Sequence, residues 1–127
     1  MMKVEKGFTL MEILITTIIV AMLTAVLLSR YYGQQERAIV AEAVTNLSAI
    51  RQGEVSYYLE NSAYVAYTSL DLDITSTAFT YTVNSSTGTA TATRAPAGAC
   101  SGTDYGSCTV TLTVDGVWGG THPYKPT

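Results

Sequence analysis

The sequence predicts an α+β fold in which a long N-terminal α-helix, half transmembrane and half amphipathic, packs against a small antiparallel β-sheet of three to four strands. Three observations predict it. Residues Phe8 to Leu28 form a largely aliphatic run with no charge except Glu12. Downstream of Arg30, apolar side chains recur at three- and four-residue spacings. The second half is rich in Thr, Ser, Gly and Ala and alternates apolar with hydroxyl residues, the period-two pattern of strands.

The first element is set by length. At about 1.5 Å per residue, the run from Phe8 to Leu28 is long enough to cross a hydrocarbon layer about 30 Å thick. A removable secretory signal has a shorter apolar core and ends in a small-residue cleavage site, whereas this run continues into Ser29, Arg30, Tyr31 and Tyr32. Lys3 and Lys6 precede the run, and short basic flanks stay cytoplasmic. The bulk of the chain is therefore expected to face outward, which in a Gram-negative cell means the periplasm. Glu12 is the anomaly. A carboxylate inside the membrane costs about 2.5–3.5 kcal/mol on insertion scales, so it calls for a partner. The alternative is that a position one turn into the helix lets it profit from the backbone dipole and reach the headgroups.

The amphipathic half follows. Val40, Val44, Leu47, Ile50 and Tyr57 form a stripe, with Glu36, Arg37, Glu42, Arg51 and Glu54 mostly off it. Gly53 and the shortness of the run argue against a coiled coil and for packing beneath a sheet. Gly33 weakens the helix by about 1 kcal/mol relative to Ala. Turn-forming Asn61 and Ser62 mark its end.

The strands come last. Phe79, Tyr81 and Val83 alternate with Thr80 and Thr82, and Asn84 to Gly88 supply a turn before the run Thr89 to Thr93. A third run, Thr109 to Val114, stops at Asp115 and Gly116, and Val117 and Trp118 are placed to begin a short return strand. Val110, Leu112 and Val114 on one face would cover the helix stripe, burying what neither element buries alone. Cys100 and Cys108 enclose a short, flexible-looking loop just before the third strand. Outside the cytoplasm a disulfide is expected, with unlinked thiols as the alternative.

Lys6, Gly7, Phe8, Thr9, Leu10, Met11 and Glu12, followed by an aliphatic helix, resemble the processing signature of type IV prepilins, the class III prepilin signal. The resemblance extends through Ala41, Glu42, Ala43, Val44, Leu47 and Ile50, which are similar to the periplasmic half of the pilin helix. It implies a leader peptide at residues 1–7, a transmembrane and filament-core helix at 8–30, an amphipathic helical half at 31–62, and a globular β head at 63–127. It also implies cleavage by a prepilin peptidase between Gly7 and Phe8, N-methylation of Phe8, and attraction of a neighbouring subunit's terminal amine by Glu12. That amine is cationic at neutral pH and keeps its charge when methylated, so a dehydrated pair with Glu12 would set register more than strength. By the same resemblance the chain would sit in the inner membrane as a precursor with its head on the periplasmic side. It would then self-assemble into a helical homopolymer, an extracellular pilus, with a cytoplasmic ATPase and a membrane platform as further partners. Many pilins carry a proline where this chain has Ser29. A disulfide-bounded C-terminal loop is often the variable surface of a pilin, and the Cys100–Cys108 loop resembles it in place.

Other functions are weighed against these residues. An enzyme is not expected: His122 has no evident partner, and Asp71, Asp73, Asp104 and Asp115 show no catalytic spacing. Two thiols and one histidine do not make a zinc site, and Asp71 with Asp73 falls short of a calcium shell, so neither metal nor cofactor is expected. The chain carries 7 basic and 10 acidic residues for a net charge of −3, and beyond Ser62 only Arg94 and Lys125 are basic. Nucleic-acid binding is accordingly not expected. Tyr31, Tyr32, Tyr57 and Tyr58 invite an electron-conduit role, but aromatics at helical spacing ordinarily pack. Adhesion and surface glycosylation stay open. The alternative within the family is a pseudopilin of a type II secretion system, or a minor pilin. Major pseudopilins usually have a C-terminal calcium loop and no disulfide there, so the cysteines favour a pilus.

Overall fold

The computed structural model describes residues 6–127, and the chain divides into two compact units, one ending at Gln35 and the other running from Glu36 to Thr127. Lys3 and most of the expected leader at residues 1–7 lie outside the described residues. The elements are a helix α1 (Leu10–Asn61), a single 3-10 turn at Tyr67–Ser69, and strands β1 (Phe79–Val83), β2 (Ala90–Arg94), β3 (Thr109–Leu112) and β4 (Trp118–Gly119).

In the first unit, every large apolar side chain of the run is exposed, from Leu10 at 85% to Leu28 at 52%. The hydroxyls set among them are folded back onto the helix. Thr16 donates to the Glu12 carbonyl at 2.9 Å, Thr17 to Leu14 at 2.9 Å, Thr24 to Val20 at 2.8 Å and Ser29 to Val26 at 3.1 Å. These bonds leave no unpaired hydroxyl proton facing outward, as an apolar surround demands. The helix is continuous through Ser29 and Gly33. One glycine costs less than the flanking turns of backbone hydrogen bonds supply.

In the second unit α1 buries Glu36, Val40, Ala43, Leu47, Ile50 and Glu54. The expected stripe is therefore confirmed at Val40, Leu47 and Ile50, while Val44 and Tyr57 pack at its margin. The placing of Glu36 and Glu54 off the stripe is corrected. From 36 to 54 is five turns of about 3.6 residues, so both acids share the angular position of the apolar residues between them. Helix geometry overrides polarity here, and the two carboxylates must be satisfied inside.

The sheet is an antiparallel meander in the order β1-β2-β3-β4. Tyr81 stands opposite Ala92, which stands opposite Val110; Val83 stands opposite Ala90, which stands opposite Leu112. Phe79, Tyr81, Ala90, Ala92, Val110 and Leu112 are buried with the helix stripe in one core, and the threonines between them face outward. Alternation thus delivers one apolar face, as period two requires. The β1–β2 connection closes through Asn84, whose Oδ1 accepts the Ser86 N–H at 2.9 Å and whose carbonyl accepts the Gly88 N–H at 2.7 Å. Gly88 is buried at φ +67°, where a Cβ would meet the Val114 methyl at 2.6 Å and the Tyr64 ring at 2.7 Å. Only glycine fits both the left-handed backbone and the space.

Candidate functional site

Two polar centres stand out, one in each unit. The first is the N-terminal segment. Lys6 to Thr9 precede the helix without regular structure, Phe8 is 82% exposed, and a Cβ on Gly7 would meet nothing within 4 Å. The backbone on both sides of the Gly7–Phe8 bond is therefore open. Thr9 caps the helix: its Oγ1 accepts the Glu12 N–H at 3.2 Å, while Glu12 Oε2 reaches back to accept the Thr9 N–H at 3.3 Å. This is a reciprocal capping box, which satisfies two backbone donors that the helix itself cannot. The signal for it is present in the sequence as Thr followed three residues later by Glu ahead of an apolar run, a local partner for Glu12 beside the helix dipole and the neighbouring subunit's amine. An ionised carboxylate has about four lone-pair sites, so the Thr9 bond leaves Glu12 able to accept a further donor. The exposed Phe8 and the Glu12 carboxylate share one short segment.

The second centre lies in the second unit and was not foreseen. Glu36 accepts Arg94 Nε at 2.9 Å on Oε1 and Arg94 Nη2 at 3.3 Å on Oε2, a two-pronged ion pair. The same Oε1 lies 3.1 Å from Nε2 of His122, which is fully buried. The expectation that His122 lacks a partner is thus overturned, because folding brings together residues 86 positions apart. Burial pushes the Glu36 carboxyl up, but the hydrogen bonds from Arg94 and His122 outweigh it and hold the group below its ordinary value. Arg94 also donates to the Ala78 carbonyl at 3.1 Å and lies over the Phe79 ring. Tyr105 stacks on His122 at 5.6 Å, and Arg37 lies over Tyr124 at 5.0 Å. The arrangement ties α1, β2 and the C-terminal segment together.

Cys100 and Cys108 are bonded, with Cα atoms 4.9 Å apart. Within their loop Asp104 accepts the Ala99 N–H at 2.9 Å and the Gly106 N–H at 3.0 Å, and these two bonds hold its carboxyl below the ordinary range. Asp71 and Asp73 are both exposed, and the described residues contain no group of three His, Cys, Asp or Glu side chains able to hold a metal.

A single helix long and apolar enough to cross a membrane, joined in sequence to a helix-backed four-stranded meander with one disulfide, defines a class of small helix-plus-sheet proteins with an uncovered apolar segment. The chain is 35% identical over 65 residues to a fimbrial protein of Pseudomonas aeruginosa, a match covering 51% of this chain and 42% of that protein. It is 32% identical over 63 residues to a type II secretion system core protein G of Vibrio cholerae, covering 50% of this chain and 43% of that protein. A core protein G of Dickeya chrysanthemi is 32% identical over 60 residues. The matched stretch spans less than half the length of these relatives. No family model and no solved structure matches. The chain is therefore similar, over about its first half, to fimbrial and type II secretion core proteins, and its long apolar helix and four-stranded antiparallel sheet are compatible with a type IV pilin-like fold.

Proposed function

We propose that the chain is the structural subunit of a type IV pilus, made as a precursor whose leader is cut between Gly7 and Phe8. The observation that carries this reading is the fully uncovered apolar run Leu10–Leu28 headed by the exposed Phe8 and the Glu12 carboxylate. So much aliphatic surface has to be covered, by lipid before assembly and by copies of itself afterwards. In that packing Phe8, N-methylated after cleavage, presents a cationic amine, and Glu12 of an adjacent subunit accepts it in place of the Thr9 donor. The exchange swaps a weak local bond for a charge-assisted one in a dehydrated setting, and it fixes the axial register of the helices. The inner membrane holds the precursor, with prepilin peptidase and the assembly machinery as partners, and the finished filament is extracellular.

The match to secretion core proteins favours one second reading, a pseudopilin built by the same N-terminal chemistry. Shearing filaments from cells and measuring the intact mass of their main protein separates the two. A mass starting at methylated Phe8 and two hydrogens short, for the disulfide, is the expected result for a pilus. A processed protein confined to the cell envelope supports the pseudopilin, and an uncut chain beginning at Met1 would sink both.

A further inference from the structure

His122 is the only histidine in the chain, and both of its ring nitrogens are engaged in a site without solvent. Nδ1 accepts the Tyr124 backbone N–H at 3.2 Å, so Nδ1 carries no proton. Nε2, 3.1 Å from the Glu36 carboxylate, is therefore the protonated nitrogen and the donor. Two hydrogen bonds with opposite roles define one neutral tautomer. A second proton has only Nδ1 to go to, and there it would face the Tyr124 N–H, donor against donor.

The groups around the ring decide what gives way. From α1 it meets Glu36, with Arg37 one residue on; from β2 it meets Arg94; from the loop ahead of β3 it meets Tyr105; from its own segment it meets Tyr124 and Lys125. Phe79 of β1 contributes an uncharged ring. An imidazolium keeps Glu36, because its Nε2–H then becomes a charge-assisted donor. It loses Tyr124, because Nδ1 no longer accepts. Nothing else anchors the Tyr124 amide, and the Lys125 N–H reaches the His122 carbonyl only at 3.3 Å.

We infer that His122 is an acid-operated fastener. Protonation at Nδ1 pins the ring more firmly to Glu36 and at the same time releases the chain beyond it, Tyr124–Thr127. Tyr124 then leaves the rings of Tyr105 and His122, gives up its 3.4 Å hydroxyl contact with Tyr105, and moves out from beneath the already exposed Arg37 guanidinium. The surface beside the start of this unit thereby loses the aromatic ring that Arg37 stacks on. This is independent of how the subunits assemble.

The test uses the full chain in detergent micelles, isotope-labelled, followed between about pH 8 and pH 4 by long-range nitrogen–proton spectra of the single histidine. Hydrogen exchange of the Tyr124 amide is read in the same samples and corrected for the intrinsic pH dependence of exchange. At high pH the Nε2–H tautomer is expected. As the ring titrates, the Tyr124 amide should exchange roughly threefold to tenfold faster, the worth of one neutral hydrogen bond, while amides of β1 to β3 hold steady. In H122Q the pH response of Tyr124 should vanish. An Nδ1–H tautomer, an unchanged Tyr124 amide across the ring's titration, or a response shared equally by the sheet overturns the inference. The tautomer and the wild-type titration decide the matter even where H122Q does not fold.

Discussion

At the scale of single residues, two acids on one helix face were turned inward and received opposite treatment. Glu36 meets Arg94 and His122, and its carboxyl is held below the ordinary value. Its contribution to stability is therefore present above about pH 4.5, where the unfolded carboxyl is ionised, and is lost as pH falls through the folded value. Glu36→Ala should cost about 3 kcal/mol at pH 7, because it leaves Arg94 without its counter-charge and His122 without an acceptor, and the deficit should shrink near pH 3. Thermal melts followed by near-ultraviolet circular dichroism check both statements. Glu54 is also fully buried, but among the described residues only Oε2 has a partner, the Val65 N–H at 3.1 Å, and Oε1 has none. Burial pushes its carboxyl up, with the Val65 bond opposing in part. As pH rises above about 4.5 the unfolded carboxyl ionises first, so the folded state loses stability relative to it. Glu54→Gln, which mimics the neutral acid, should gain on the order of 1 kcal/mol at pH 7 and nothing near pH 3 in the same melts. Neither role was legible in the sequence, because an acid amid other polar residues reads as solvated until its neighbours across the fold are known.

At the scale of elements, the helix end at Asn61, the β1–β2 hairpin and the short return strand at Trp118 all fall where the turn residues and alternation put them. Those signals are local, and local physics decided them. The turn at Asn84–Gly88 was also expected, but not that its last glycine is wedged beneath Tyr64 and Val114. Gly88→Ala should therefore cost more than the roughly 1 kcal/mol of a left-handed alanine alone, about 2–4 kcal/mol in all, since the methyl has to displace a packed ring. Denaturant unfolding would read this as a fall in midpoint with an unchanged slope. At the other end of the chain the capping box of Thr9 and Glu12 gives the helix a defined start. Thr9 and Glu12 are legible in the sequence as a capping pair, but the membrane cost of a carboxylate at Glu12 points equally to an intermolecular partner, and only the hydrogen bonds show the local one.

At the scale of the whole molecule, the helix of one unit carries aliphatic surface that the described residues do not cover, while the other unit closes a core of its own around Leu47, Ile50, Val110 and Ala92. A charge in the middle of the uncovered run should be felt by the membrane and not by that core. Val20→Lys is expected to cost about 3 kcal/mol in insertion and to shift the chain from the carbonate-resistant to the soluble fraction, with the melt of the sheet unchanged. The sequence by itself determined the apolar span, the periodicity of the helix and the positions of the strands, because each depends on residues near one another in the chain; the choice of four strands over three, their order and the bond between Cys100 and Cys108 came with the fold. Only the tertiary structure decided that Glu36, Arg94 and His122 meet, and that Glu54 is enclosed half-satisfied. Those facts depend on which distant groups share a dry volume, and burial, which sets the strength of every charge in it, is a property of the assembled fold.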